Sequence, residues 1–279
     1  MRFQRYLAGW FGHTVAKVTS GNAFSLNDHI SLITGGNGGI GLGMAEALAT
    51  AGATVVICGT NPEKNADALQ RLQGLHPDAQ ALVCDVGDEG AVEAMITGVI
   101  EVHGRIDSCF VNAGVGGAAP SFVEMTTDEW RRVMRVNLDG AFYTARAMCR
   151  HFAHRSSQGD TSGGSLVFTT SGSAYFGQQR GQHYGASKAG LISMMRAIAV
   201  EHARHNVRSN AVMPGWIESE MTAPALGWST FIDKVLPRVP MRRWGQPADF
   251  GGIAVYLASG LSSYHTGDVI TIDGGYHSF

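Results

Sequence analysis

From Asp28 onward, short apolar runs alternate with helix-length segments. The runs 29–34, 54–58, 81–84, 106–111, 165–170, 207–213 and 268–272 read as strands, most of them apolar through their middles, as strands covered on both faces are. Between them, 39–51, 62–72, 89–103, 127–153, 184–205 and 247–258 fit helices. Strict alternation of this kind predicts a parallel sheet with crossover helices. Because such crossovers are right-handed, the expected fold is a doubly wound α/β sheet of about seven parallel strands with helices on both faces, whose ligands sit beyond the carboxyl ends of the strands. Helix starts carry their own signals: Asn61 precedes Pro62, and Thr126 precedes a first turn containing Asp128 and Glu129. With no repeat and no Pro/Ser-rich linker, residues 24–279 read as a single domain.

The first strand runs into Thr34-Gly35-Gly36-Asn37-Gly38-Gly39-Ile40-Gly41, and a helix follows at once. A glycine-rich strand-to-helix turn permits a tight bend and brings backbone N–H groups and a helix N-terminus onto a pyrophosphate. Further along, Tyr184 and Lys188 lie four residues apart at the start of a long helix, so phenol and ammonium share one face. At ~4 Å and an effective dielectric of ~20, two unit charges interact by about 4 kcal/mol, roughly three pKa units, which predicts a phenol drawn down toward neutral pH.

The spacing of the glycine turn is TGxxxGxG, and with it the chain from about Phe24 onward resembles the short-chain dehydrogenases/reductases, a Rossmann-fold family. The resemblance implies that Gly35, Asn37, Gly39, Ile40 and Gly41 line a dinucleotide. It also implies that Asp85, followed by Val86 after the third strand, meets the adenine. Asn112-Ala113-Gly114 corresponds to the family's NAG turn, with Val111 where an Asn usually precedes it. Asn137, Ser171, Tyr184 and Lys188 correspond to its catalytic Asn-Ser-Tyr-Lys set; Ser173 competes with Ser171, and spacing to Tyr184 favours Ser171. The segment Pro214-Gly215-Trp216-Ile217-Glu218-Ser219 resembles PGxIxT beside the nicotinamide, with Ser219 keeping the hydroxyl.

The activity implied is NAD(P)-dependent reduction of a carbonyl, or oxidation of the corresponding secondary alcohol, with Tyr184 as acid and base. An NAD-dependent alcohol or sugar dehydrogenase working oxidatively is the first alternative, and a non-catalytic NADP-binding regulator the second. At the end of the second strand Gly59-Thr60-Asn61 carries no acid to repel a 2′-phosphate and no Arg to bind one. Neutral donors from Asn37, Thr60 and Asn61 tip the expectation to NADP over NAD. A substrate lid is expected over 216–240, with Met221, Leu226, Trp228, Phe231 and Leu236 either meeting an apolar or mixed substrate or packing on their own domain, and with Phe122 and Tyr175 nearby. The stretch from Arg242 through Arg243, Trp244, Gly245 and Gln246 to Pro247 reads as structural. The resemblance further implies a homodimer or homotetramer built on the helices of Asn137 and Lys188 and the last strand, with Phe142, Met148, Met194 and Met195 read either as contacts or as core packing.

Composition narrows the remainder. A net charge of −2 with 16% charged and 44% hydrophobic residues suits a globular protein and gives no basic patch for nucleic acid. The 4 cysteines, Cys58, Cys84, Cys109 and Cys149, form no CxxC and read as buried free thiols of a reducing, cytoplasmic setting. The 11 histidines include no HExxH, so no metal site is expected. No apolar stretch reaches the ~20 residues of a membrane span. Residues 1–23, basic and with Phe3, Leu7, Trp10 and Phe11 on one helical face, read as lying outside the fold: an amphipathic arm, an organelle transit peptide, or a misplaced or cloning-derived start.

Overall fold

The computed structural model describes residues 24–278; the expectation for residues 1–23 lies outside them. Seven strands form one parallel sheet: β1 (Ile30–Thr34), β2 (Thr54–Gly59), β3 (Gln80–Val83), β4 (Ser108–Val111), β5 (Gly164–Thr169), β6 (Val207–Pro214) and β7 (Val269–Ile272), in spatial order β3-β2-β1-β4-β5-β6-β7. The order reverses between β1 and β4, which opens a crevice at the carboxyl ends of those strands.

Period-two alternation sends neighbouring side chains to opposite faces. Leu32, Cys58, Cys109 and Phe168 face α3 (Glu89–His103), α5 (Gly140–Ser157) and α6 (Gln182–Glu201). Ile33, Ile57, Phe110 and Val167 face α1 (Gly39–Thr50), α2 (Pro62–Gln73) and α9 (Gly251–Ala258). All four cysteines are free and buried.

Both expected caps form: Asn61 Oδ1 accepts the Lys64 N–H at 3.0 Å, and Thr126 Oγ1 accepts the Glu129 N–H at 3.1 Å, starting α4 (Thr127–Met134). Three boundaries move for identifiable reasons. Strand β4 starts two residues late because Ile106 spends its N–H on His151 Nε2 and its carbonyl on Arg155. The helix expected over 127–153 is interrupted by a π-helical turn, Arg135–Asp139, and then runs on to Ser157. The last helix opens as a 3₁₀ turn, Pro247–Phe250, held by the reciprocal cap of Gln246 and Asp249.

Among the described residues no helix is long and apolar enough to cross a membrane, and no group of three or more His, Cys, Asp or Glu is placed to hold a metal ion. The segment expected as a lid contains α7 (Ala223–Leu226) and α8 (Ser229–Val235). Trp216 meets Phe231 edge-on at 4.7 Å between centroids and Phe231 stacks on Trp244, so these two lid rings pack on their own domain, while Met221 and Trp228 stay exposed. The reading of 242–247 as structural agrees with this, since Gly245 N–H donates to the Trp216 carbonyl and Arg243 pairs with Asp249.

Candidate active site

Gly35 holds φ at +63°, where only glycine is unstrained, and a Cβ there would meet Ala113 Cα at 2.9 Å. A Cβ on Gly41 would lie 2.2 Å from the Gly35 carbonyl oxygen. The turn is therefore coiled tightly against the NAG segment. Asn112 fixes that contact, its Nδ2 donating to the carbonyls of Thr34 and Gly35 at 3.1 and 3.0 Å, while Thr34 Oγ1 accepts the N–H groups of Asn112 and Ala113. Thr169 Oγ1 closes the set on Asn112 Oδ1 at 3.0 Å. The Asn112 side chain thus builds the crevice. Thr34, whose hydroxyl joins β1 to β4, has no sequence signal beyond its place before the glycines.

Helix α1 begins at Gly39 with no side-chain cap and no acid in its first turn, and a Cβ on Gly38 would touch nothing within 4 Å. An uncapped helix N-terminus with open space before it fits a pyrophosphate. Ser219 lies across from it, 3.4 Å from where a Gly39 Cβ would be, and Ser219 Oγ bonds Thr222 Oγ1. The Ile217 side chain is buried in the core, and Ile40 packs against that same cluster, so their backbones are what these positions offer a ligand. Pro214 ends β6, and the Gly215 N–H donates to Ile272.

Asp85 Oδ1 accepts the Gly87 N–H and Oδ2 takes Arg135, both at 2.9 Å. Burial raises its pKa, but Arg135 and the Gly87 N–H outweigh that and hold it below the usual carboxylate range. Val86 is buried against Gly140.

At the end of β2, one of the three neutral donors, the Asn37 amide, is already engaged. Asn37 Nδ2 donates to Asn65 Oδ1 at 2.7 Å, Asn61 caps α2, and Thr60 is exposed. A Cβ on Gly59 would sit 2.2 Å from Asn37 Nδ2. The cation that pattern reading passed over is Lys64, in the first turn of α2, paired with Glu220 of the lid. Its signal was its place in the turn following β2.

The four residues expected to carry chemistry converge. Asn137, fully buried, lies in the π-helical turn; its Oδ1 accepts the Val115 N–H at 2.8 Å and its Nδ2 donates to the Val115 carbonyl at 3.0 Å. A Cβ on Gly114 would be 3.4 Å from both Asn137 Oδ1 and Lys188 Nζ. Lys188 Nζ donates to the Thr169 carbonyl at 2.8 Å, and burial lowers its pKa to about 8. Ser171 Oγ donates to Ser173 Oγ at 3.2 Å, and Ser173 passes its own proton to Gln178.

One electrostatic expectation is corrected. Lys188 Nζ lies 5.7 Å from the Tyr184 ring centroid, and burial raises the phenol pKa, with interaction with Ser171 pulling the other way. Desolvation outweighs the Ser171 hydrogen bond, so the phenol is pushed up rather than drawn toward neutral pH.

Beside Tyr184, the fully buried His183 places Nε2 3.3 Å from Glu129 Oε1. Arg132 first, and His183 after it, hold Glu129 down to about 2 against the effect of burial. Arg132 also donates to the Gly116 carbonyl at 2.7 Å, so this cluster pins the loop after the NAG turn.

Of the four residues read either as subunit contacts or as core, Met148 and Met195 are core, because α5 and α6 turn them onto the sheet. Met194 packs against that core, and Phe142 is exposed.

A family model described as enoyl-(acyl carrier protein) reductase matches residues 35–277. The sorbose reductase of Schizosaccharomyces pombe is 38% identical over 259 residues, covering 91% of this chain and 98% of that protein. A 3-oxoacyl-[acyl-carrier-protein] reductase of Thermotoga maritima is 36% identical, covering 90% and 98%. The crystal structure of a gluconate 5-dehydrogenase from Burkholderia cenocepacia in complex with NADP and tartrate superposes with a TM-score of 0.85 at 33% identity, over 92% of this chain and 98% of that one. A glycine turn built for a dinucleotide, a Ser-Tyr-Lys cluster past the carboxyl end of β5 with its lysine buried, and these full-length similarities have one reading: the chain belongs to the short-chain dehydrogenases/reductases, NAD(P)-dependent oxidoreductases acting on carbonyl and alcohol groups.

Proposed function

We propose that the protein reduces the keto group of a polyhydroxylated substrate, a ketose or sugar acid, with NADPH. The observation that carries the substrate class is the polar hydrogen-bond chain Ser171–Ser173–Gln178 at the substrate end of the cleft. An acyl chain needs apolar walls, whereas a polyol needs donors and acceptors. The sugar-acting relatives support the same reading.

The uncapped start of α1, with Gly35, Asn37, Gly39, Ile40 and Gly41, would hold the pyrophosphate, and Asp85 with Val86 the adenine. Thr60 and Lys64 serve the 2′-phosphate, the lysine exchanging its lid partner Glu220 for the ligand. Ala113, Gly114, Pro214, Gly215, Ile217 and Ser219 would frame the nicotinamide end. When bound, the cofactor supplies the hydride.

Ser171 turns its one hydroxyl proton from Ser173 to the substrate oxygen, Tyr184 donates to the same oxygen, and Tyr184 gives it a proton as the carbon is reduced. The Lys188 ammonium, held by Thr169, stabilises the phenolate this leaves and would hold the nicotinamide ribose hydroxyls. Asn137 positions the loop through Val115, and Oδ1 keeps a lone pair for a water that returns the proton. The four buried thiols fit a cytoplasmic protein, and the outer faces of α5 and α6, with Phe142, fit a homodimer or homotetramer.

Loss of 340 nm absorbance from NADPH on adding a panel of ketoses and keto-acids tests the proposal. Turnover of a polyhydroxylated ketone is the expected result. Turnover of 3-oxoacyl thioesters alone overturns it.

A further inference from the structure

The chain does not stop at β7. Residues 273–278 cross the carboxyl ends of β6 and β5. A Cβ on Gly215, just past β6, would lie 2.7 Å from Asp273 Cα, and a Cβ on Gly172, the residue after Ser171, would lie 2.2 Å from His277 Nε2. The tail therefore occupies the space that those two glycines leave, and it brings an imidazole to the neighbour of the substrate-binding serine.

That imidazole is held on three sides. Its Nδ1 lies 2.6 Å from Asp273 Oδ2, which also accepts the His277 N–H at 2.8 Å, while Oδ1 accepts the Gly275 N–H at 2.8 Å. The Asp273 side chain is 7% exposed. The Phe176 ring stacks on His277 at 4.7 Å and 16°, and Tyr276, itself covered by Arg238 of the lid, meets it edge-on at 5.3 Å. The Nε2 atom carries no hydrogen bond to any described residue.

A carboxylate only accepts, so Nδ1 donates to Asp273 and the free position is Nε2 in either protonation state. Neutral, Nε2 accepts a hydrogen bond; charged, it donates one. A hydroxyl answers both, since it donates and accepts, whereas a carboxylate answers only the charged form.

We propose that His277, oriented by Asp273, is a specificity-determining residue that hydrogen-bonds a hydroxyl of the substrate near the carbonyl held by Ser171 and Tyr184. This rests on the polyhydroxylated substrate class proposed above, whose ketoses and sugar acids alike carry a hydroxyl beside the carbonyl. Nothing in the pattern of strands and helices marks His277, because its place depends on the tail folding back over two strand ends.

The test is steady-state kinetics of the full chain with L-sorbose and D-fructose, alongside NADPH affinity by fluorescence. His277→Ala is expected to raise KM for the ketose about tenfold, the size of one lost hydrogen bond to a desolvated site, with kcat within about twofold and NADPH affinity unchanged. His277→Gln, whose amide can accept and donate near the place of Nε2, is expected to recover part of the loss. An unchanged KM overturns the proposal, and so does a fall in kcat and NADPH affinity together, which marks a structural role. Wild-type protein that turns over no polyhydroxylated ketone overturns the substrate class, and this inference with it; wild-type turnover with no effect at His277 overturns this inference alone.

Discussion

The Lys188 ammonium sits 5.7 Å from the centre of the Tyr184 ring and spends one of its protons on the Thr169 carbonyl. The two groups share a helix face, as their spacing requires, yet both are buried, and each is pushed toward its neutral form. The pair is a donor and a cation stored in a low-dielectric cleft, where a charge developing on the phenol is stabilised more strongly than it is in water.

Tyr184→Phe removes the proton donor and leaves the ring. NADPH binding measured by fluorescence should stay within about twofold of wild type, while kcat falls by at least about a hundredfold, the scale of general acid catalysis. Retention of more than about a tenth of wild-type turnover contradicts the assignment.

Lys188 makes stability depend on pH in a defined sense. Its folded pKa, about 8, lies below the ordinary lysine value, so between these two the unfolded chain binds the extra proton. The stabilisation is complete above the unfolded pKa and is lost as pH falls through the folded one. Relative to Lys188→Met, the wild-type protein should gain roughly 3 kcal/mol on going from pH 8 to about 10.5, read by urea denaturation at each pH. A flat difference across that window would show that the ammonium is not buried.

Gly59→Asp places a carboxylate where a Cβ already meets Asn37 Nδ2 at 2.2 Å. The side chain must displace Asn37 from Asn65, and its charge opposes a 2′-phosphate. NADPH affinity should drop by at least about tenfold and the ratio of NADH to NADPH use should rise, as measured by titration and kinetics with both cofactors. Unchanged NADPH affinity would move discrimination away from the end of β2, and Lys64→Ala would then be the next variant.

Asn137→Ala deprives the Val115 N–H and carbonyl of their partners in a half-buried loop. Each unsatisfied group costs about 1–3 kcal/mol, so the melting temperature should fall by several degrees and kcat with it as the loop beside Gly114 loosens. Calorimetry that finds no change in stability would return Asn137 to a purely chemical role.

The fold, the glycine turn and the pairing of Tyr184 with Lys188 were legible because each follows from local rules, whereas Ser171 was reached through the family resemblance. Period-two apolar runs make strands, glycines make the one turn a diphosphate can approach, and a spacing of four puts two side chains on one helix face. What the tertiary structure alone decided are the matters in which desolvation or a distant segment outweighs the local rule. The phenol pKa rises because burial outweighs the Ser171 hydrogen bond. The helix of Asn137 breaks into a π turn where its amide takes both backbone groups of Val115, and Asn37 is occupied by Asn65 from the next helix. His277 reaches Gly172 only because the last residues cross the sheet ends. Sequence spacing carries neither the dielectric around a group nor the partner it meets from a hundred residues away, and those two quantities set the chemistry of this cleft.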